Sequence, residues 1–393
     1  MEEAQRLQRL PMYVFAQLDM LKAEERKKGM DLIDLGMGNP DLPPPSPIID
    51  ALTKALHEPS VHRYPGFEGL PEFREAVADW CQRQYGISIN PENEVLPLIG
   101  SKEGLIHFAF AFVNPGDITL VPMPAYPAHF RGTLLAGGEP HVLATSERYG
   151  YIPDLDTVDE SIARKARILF LSYPTNPTAA TATREFFEEA VEFAKKYELI
   201  LVHDFAYAEL YFEKKDKPIS MLSVDEAKDI CIEFHTLSKT FSMPGWRIGF
   251  AVGNSALIAS LHKIKTNLDY GLFTALQKAA IAALNINQEY IENMRATYKR
   301  RRDIFVEGLK DLGWPIEKPK ATMYVWIPVP KGYTSTHFAV EVLKKTGVVI
   351  APGVSFGDLG EGYVRIALVE KEERLKEALK RMKEAGIKYH GSS

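Results

Sequence analysis

Between Thr236 and Gly249 the chain sets two cations, Lys239 and Arg247, eight residues apart in a run otherwise hydroxylic, small or apolar. Leu237 and Phe241 flank Lys239, so its ammonium would be partly desolvated. Desolvation disfavours the charged form and lowers a lysine pKa, which suits an amine that attacks carbonyls. Arg247 keeps its charge and offers a fork matched to phosphate, with Thr236 and Ser238 as added hydroxyl donors. An imine-forming lysine beside a phosphate clamp is one reading, and it is what pyridoxal phosphate (PLP) chemistry requires. A structural Lys and Arg on a half-buried turn is the other.

Further polar residues fall just past expected strand ends. Asn176, between Pro174 and Pro177, is kept out of helix and ladder, so its amide can face a ligand or close a turn. Asp204 and Tyr207 can share one side of a strand-to-loop junction. A carboxylate and a phenol so placed serve a pyridine ring, holding its nitrogen protonated and bonding its hydroxyl. An acidic helix cap with a packed tyrosine is the alternative. Tyr126 offers a ring for stacking or a core aromatic. Arg365, inside the apolar strand 363–368, needs an anion, either a bound carboxylate or an internal salt bridge.

The elements that must position these groups follow from apolar periodicity. Strands are expected at 95–99, 118–122, 140–144, 167–172, 199–203, 230–235 and 247–252, with helices between them. Short apolar strands alternating with helices predict a mostly parallel, covered sheet whose ligands gather at strand carboxyl ends. The order strand–Gly100–Ser101–helix leaves free backbone N–H groups at a helix start, suited to an anion. Gly36-Met-Gly38 follows a strand, but prolines come next instead of a helix, so a dinucleotide fingerprint fails and a turn is expected. Residues 46–286 read as a large domain. A long charged helix at 287–312 leads into a smaller α+β domain built from 287–393 and 1–45.

With 393 residues, 46% hydrophobic and 25% charged, the composition is that of a soluble globular protein. A net charge of -5 gives no electrostatic case for nucleic acid. The basic run Lys299–Arg302 reads as a solvated helix face. Two cysteines without C-x-x-C spacing give neither a disulfide framework nor a metal site, and fit a reduced, cytoplasmic setting. The longest apolar run, 105–113, is too short to span a bilayer.

The ordered set Tyr126, Asn176-Pro177, Asp204-x-x-Tyr207, Thr236-x-Ser238-Lys239, Arg247 and Arg365 resembles the class I/II, fold-type I PLP-dependent aminotransferases. The resemblance spans the chain from Gly38-Asn-Pro-Asp41 to Arg365. It implies an α/β, three-layer PLP-transferase fold with a mostly parallel central sheet and a smaller α+β domain. It also implies roles. Lys239 is the Schiff-base lysine and proton carrier, Asp204 pairs with the ring nitrogen, and Tyr207 and Asn176 with the ring oxygen. Tyr126 stacks on the ring. Ser101, Lys102, Thr236, Ser238 and Arg247 hold the phosphate. Tyr64 matches a tyrosine that reaches the neighbouring subunit's phosphate, implying a homodimer with shared sites. Arg365 grips the substrate carboxylate with Asn176 and the Gly38 backbone, and Tyr13 closes over the substrate or packs on the surface. Two departures, Ala179 in Asn-Pro-Thr-Ala and Thr236 where Gly or Ser is common, leave these groups in place.

The segments around Tyr13, Gly100, His203 and Asp269 are similar to bacterial alanine (glutamate–pyruvate) aminotransferases, with LL-diaminopimelate aminotransferases close behind. The expected reaction is therefore alanine plus 2-oxoglutarate to pyruvate plus glutamate, in two half-reactions. LL-diaminopimelate or aspartate as donor is the alternative, though 266–274 lacks the arginine some aspartate enzymes use there. A carbon–sulfur β-lyase shares the same residues. The effector domain of a transcription regulator would need a DNA-binding unit ahead of Gly36.

Overall fold

A computed structural model describes residues 2–11 and 14–389, with the backbone alone for 14–17, so Tyr13 lies outside the described residues. Seven apolar runs form strands: β1 (Val95–Leu98), β2 (Ile118–Met123), β3 (Glu139–Ala144), β4 (Ala166–Leu171), β5 (Ile200–Asp204), β6 (Cys231–Thr236) and β7 (Gly249–Gly253). They assemble in the order β1-β7-β6-β5-β4-β2-β3. β2 to β6 pair in parallel, and β7 runs antiparallel to β1 and β6. The central strands are buried along nearly their whole length, which requires helices on both faces. One such cover, the helix Arg184–Tyr197, buries Phe186, Phe187, Ala190, Val191 and Ala194 as a single stripe. Thr183 caps its start by accepting from the Phe186 N–H.

A second, three-stranded antiparallel sheet has the order β9-β10-β8, from β8 (Tyr324–Pro328), β9 (Ala351–Pro352) and β10 (Tyr363–Ala367). Beside it Ile33–Asp34 pairs in parallel with Val348–Val349. Leu35 then donates to the Val349 carbonyl at 2.9 Å and accepts from Ala367 at 2.7 Å. These bonds fix the turn at Gly36–Gly38 over the end of the large sheet.

The helix Gln288–Asp311 serves both cores: Ile291, Met294 and Tyr298 pack into the large one, Phe305, Val306 and Leu309 into the smaller. The expectation of a solvated face at Lys299–Arg302 holds for Lys299 and Arg300 and is corrected for Arg301 and Arg302. Arg301 is buried and grips Asp41 with both Nη atoms at 2.6 and 2.7 Å, while Arg302 lies 4.4 Å over the Phe212 ring. Where a helix crosses from one core to another, cations on its inner face become ties to carboxylates and rings. Among the described residues no helix is long and apolar enough to cross a membrane.

Candidate active site

The carboxyl ends of β4, β5 and β6 open into a cavity of about 470 Å³, roofed by the Gly38 turn and by β8 and β10. Gly38, Ser101, Lys102, Tyr126, Asn176, Asp204, Tyr207, Thr236, Ser238, Lys239, Arg247 and Arg365 all line it. Tyr64 does not. It stands 84% exposed, its ring 4.7 Å from that of Tyr270.

Lys239 sits on the short helix Leu237–Thr240 that begins where β6 ends. Its Nζ donates to the Gly38 carbonyl at 2.6 Å. Burial pushes its ammonium below the ordinary lysine range, the charges of Arg365 and Arg247 adding to the effect against the opposing pull of Tyr324. Arg365, on β10, donates to Asn176 Oδ1 at 2.8 Å and to the Gly36 carbonyl at 2.6 Å, with its guanidinium 4.3 Å over the Tyr324 ring. Tyr324 faces Tyr207 hydroxyl to hydroxyl at 2.8 Å. Burial raises the Tyr324 phenol, yet the cations of Arg365 and Lys239 outweigh it and hold the group below its usual value. Tyr207 is pushed well above its usual value by burial and by Tyr324. Either hydroxyl can donate in their shared bond.

Gly38 is required by close approach. A Cβ there would stand 2.0 Å from the Tyr324 hydroxyl oxygen. Overpacking of this kind costs about 1–3 kcal/mol, so Gly38→Ala is expected to lose roughly tenfold or more in kcat/KM, read by steady-state kinetics. Wild-type rates in that variant would show that the turn moves freely.

Asp204, at the end of β5, is buried with one carboxylate oxygen 3.0 Å from His129 Nε2. Among the described residues its other oxygen, Oδ1, has no hydrogen-bond partner. An orphaned buried carboxylate oxygen on a cavity wall calls for a cationic N–H from a ligand. At the other end, Arg247 holds a left-handed φ of 55°, braced by its own Nη1 on the Pro244 carbonyl at 2.8 Å. A non-glycine residue in that region stores on the order of 1 kcal/mol or more. Its guanidinium packs against Gly100, where a Cβ would meet Nη2 at 2.3 Å. Ser101 opens the twelve-residue helix Ser101–Phe112 directly behind it. Burial and the charges of Arg131 and Arg247 lower the Lys102 ammonium, so the three cations share one field. Thr236 caps Ser238, accepting its N–H at 3.2 Å.

These features fit PLP: an amine of lowered pKa in the middle, an acceptor for a protonated ring nitrogen at one end, and a cationic, N–H-rich cradle at the other. Three residues of the site, His129, Arg131 and Tyr324, escaped the sequence. His129 comes one helical turn after Tyr126, and that proximity was its only signal. Tyr324 opens an apolar strand and reads as core, because its partner Tyr207 is 117 residues away.

Residues 30–382 match the family model for aminotransferase class I and II, and the chain belongs to that family. It is a PLP-dependent aminotransferase of fold type I. Among its relatives is the LL-diaminopimelate aminotransferase of Moorella thermoacetica, 50% identical over 383 residues, covering 98% of this chain and 98% of that protein. That of Halothermothrix orenii is 49% identical over 389 residues, covering 99% of this chain and all of its own. Among solved structures, substrate-bound BacF from Bacillus subtilis superposes with a TM-score of 0.96 at 40% identity, covering 100% of this chain and 99% of that one.

Proposed function

We propose that this aminotransferase takes LL-diaminopimelate as its amino donor and passes the amino group to a 2-oxo acid. The observation that carries this is the near-50% identity, over essentially full length, to relatives named for that substrate. It displaces alanine, favoured by short motifs, in favour of the alternative. The cavity lining accords with it: besides Arg365 for one carboxylate, Arg131 lines the same cavity and offers a second guanidinium to a distal carboxylate.

PLP, when bound, supplies an electron sink for the bonding pair left when the substrate Cα loses its proton. In this proposal the chain's own residues do the rest. Arg365, pre-set by Asn176 and the Gly36 carbonyl, holds the α-carboxylate, with the Gly38 backbone closing beside it. Lys239 Nζ takes the Cα proton, its lowered pKa leaving more of the amine neutral and able to act as a base. Asp204 keeps the ring nitrogen protonated, while Asn176 and Tyr207 bond the ring oxygen and Tyr126 covers the ring face. Ser101, Lys102, Thr236, Ser238 and Arg247 hold the phosphate. Tyr64, exposed and outside its own cavity, serves the neighbouring subunit of a homodimer. A cytoplasmic setting accords with two free, buried cysteines, Cys81 and Cys231.

The test is a single-turnover screen of amino acids against the PLP-loaded protein, following loss of the visible absorbance. LL-diaminopimelate is expected to react at least about tenfold faster than alanine or aspartate, the scale on which one well-placed charge contact discriminates. A faster reaction with alanine would return the donor to the motif-based expectation. Sulfide released from cysteine, or homocysteine from cystathionine, would point to the β-lyase chemistry instead.

A further inference from the structure

Successive residues on a strand face opposite sides of the sheet, so His203 lies on the far side from its neighbour Asp204. It sits in register with Glu233 on β6, and neither side chain has any exposed surface. His203 Nδ1 is 2.8 Å from Glu233 Oε2, and Nε2 is 3.2 Å from the Tyr173 carbonyl oxygen. Both partners are acceptors. The ring satisfies both only with a proton on each nitrogen. Glu233 is equally well supplied: His235 Nε2 stands 2.8 Å from Oε1, and Ser220 Oγ and Met221 N donate at 3.0 Å. Burial alone would raise this carboxylate, but the bonds from His203 and His235 prevail and bring it down to about 2.

The far end of this chain of bonds matters for the cavity. Tyr173 opens the four-residue stretch that ends at Asn176, whose Oδ1 accepts from Arg365. We propose that His203 is a positioning residue for carboxylate recognition: its doubly donating ring ties the Tyr173 carbonyl to β6 and so sets where Asn176 meets Arg365. The neighbouring His235 provides the contrast. It bonds the same Glu233 but has no hydrogen bond to the Tyr173 loop. The proposal rests on Arg365 being the carboxylate grip, and holds for whichever donor the enzyme prefers.

The experiment compares His203→Gln with His235→Gln in the PLP-loaded enzyme, using any donor the wild type accepts. For His203→Gln, KM for donor and oxo acid is expected to rise about tenfold with kcat within about threefold. The dissociation constant of the unreactive 2-methylalanine, read from the visible spectrum, should weaken in parallel. His235→Gln should lose comparable thermal stability yet keep wild-type KM. Equal KM in both variants would reduce His203 to a structural role and overturn the proposal. Should His203→Gln fail to fold, neutron diffraction of the wild type decides: deuterons on both ring nitrogens are expected, and a bare nitrogen refutes the doubly donating ring.

Discussion

Lys239→Ala is expected to retain the fold and lose at least about 10⁴-fold in kcat, the upper range for removing a positioned proton-transfer group. The loss follows from where the amine sits. Another buried lysine, Lys265, is held by two carboxylates, Asp269 at 2.8 Å and Glu103 at 3.3 Å. Lys239 instead meets a backbone carbonyl, and burial, together with the Arg365 and Arg247 fields, favours its neutral amine. The visible band that survives dialysis in the wild type should be absent from the variant. Added methylamine should restore a small part of turnover, because it returns a base to the vacated space. A dialysed variant that keeps the wild-type band, or more than about 1% of kcat, would reassign the lysine's role.

Asp204→Asn is expected to lower kcat about 10²–10³-fold with little change in KM, the scale for losing one preorganised charge partner. The substitution keeps shape and leaves a partner for His129, so packing is barely disturbed. What disappears is the negative charge on the oxygen that has no hydrogen-bond partner among the described residues. On the proposed role, the ring nitrogen of bound PLP would then no longer be held protonated, and the electron sink would weaken. Reconstitution with a cofactor analogue methylated at that nitrogen, permanently cationic, should recover part of the loss in Asp204→Asn and none in Lys239→Ala. Full wild-type kcat in Asp204→Asn would remove Asp204 from the mechanism.

The sheet was legible because its strands are buried on both faces and so read as apolar runs, and because polar residues just past such runs have few structural reasons to be there. That is why Asp204, Asn176, Thr236 and Lys239 were found together. Tyr324 and His129 were not, since each owes its role to a partner brought in by tertiary contact, 117 and 75 residues away respectively. Arg301 and Arg302 were misread for a related reason. A basic run on a helix looks solvated until a second core closes over it and Asp41 arrives from 260 residues upstream. Substrate choice was the least legible. Arg131 lines the same cavity as Arg365 from 234 residues away, a convergence that spacing along the chain does not encode.

The hydrogen bonds that close the cavity carry a consequence for the order of assembly. Lys239 reaches Gly38 across 201 residues, and Arg365 reaches Gly36 across 329 and Asn176 across 189. Contacts of such separation are slow to form and come after the local ones. During synthesis β1 to β7 can emerge and pair long before β10 leaves the ribosome. A nascent chain can thus present Asp204 and Lys239 on paired strands while Arg365 is still untranslated. On the roles proposed above, the groups for the cofactor would be in place before the group for the substrate carboxylate.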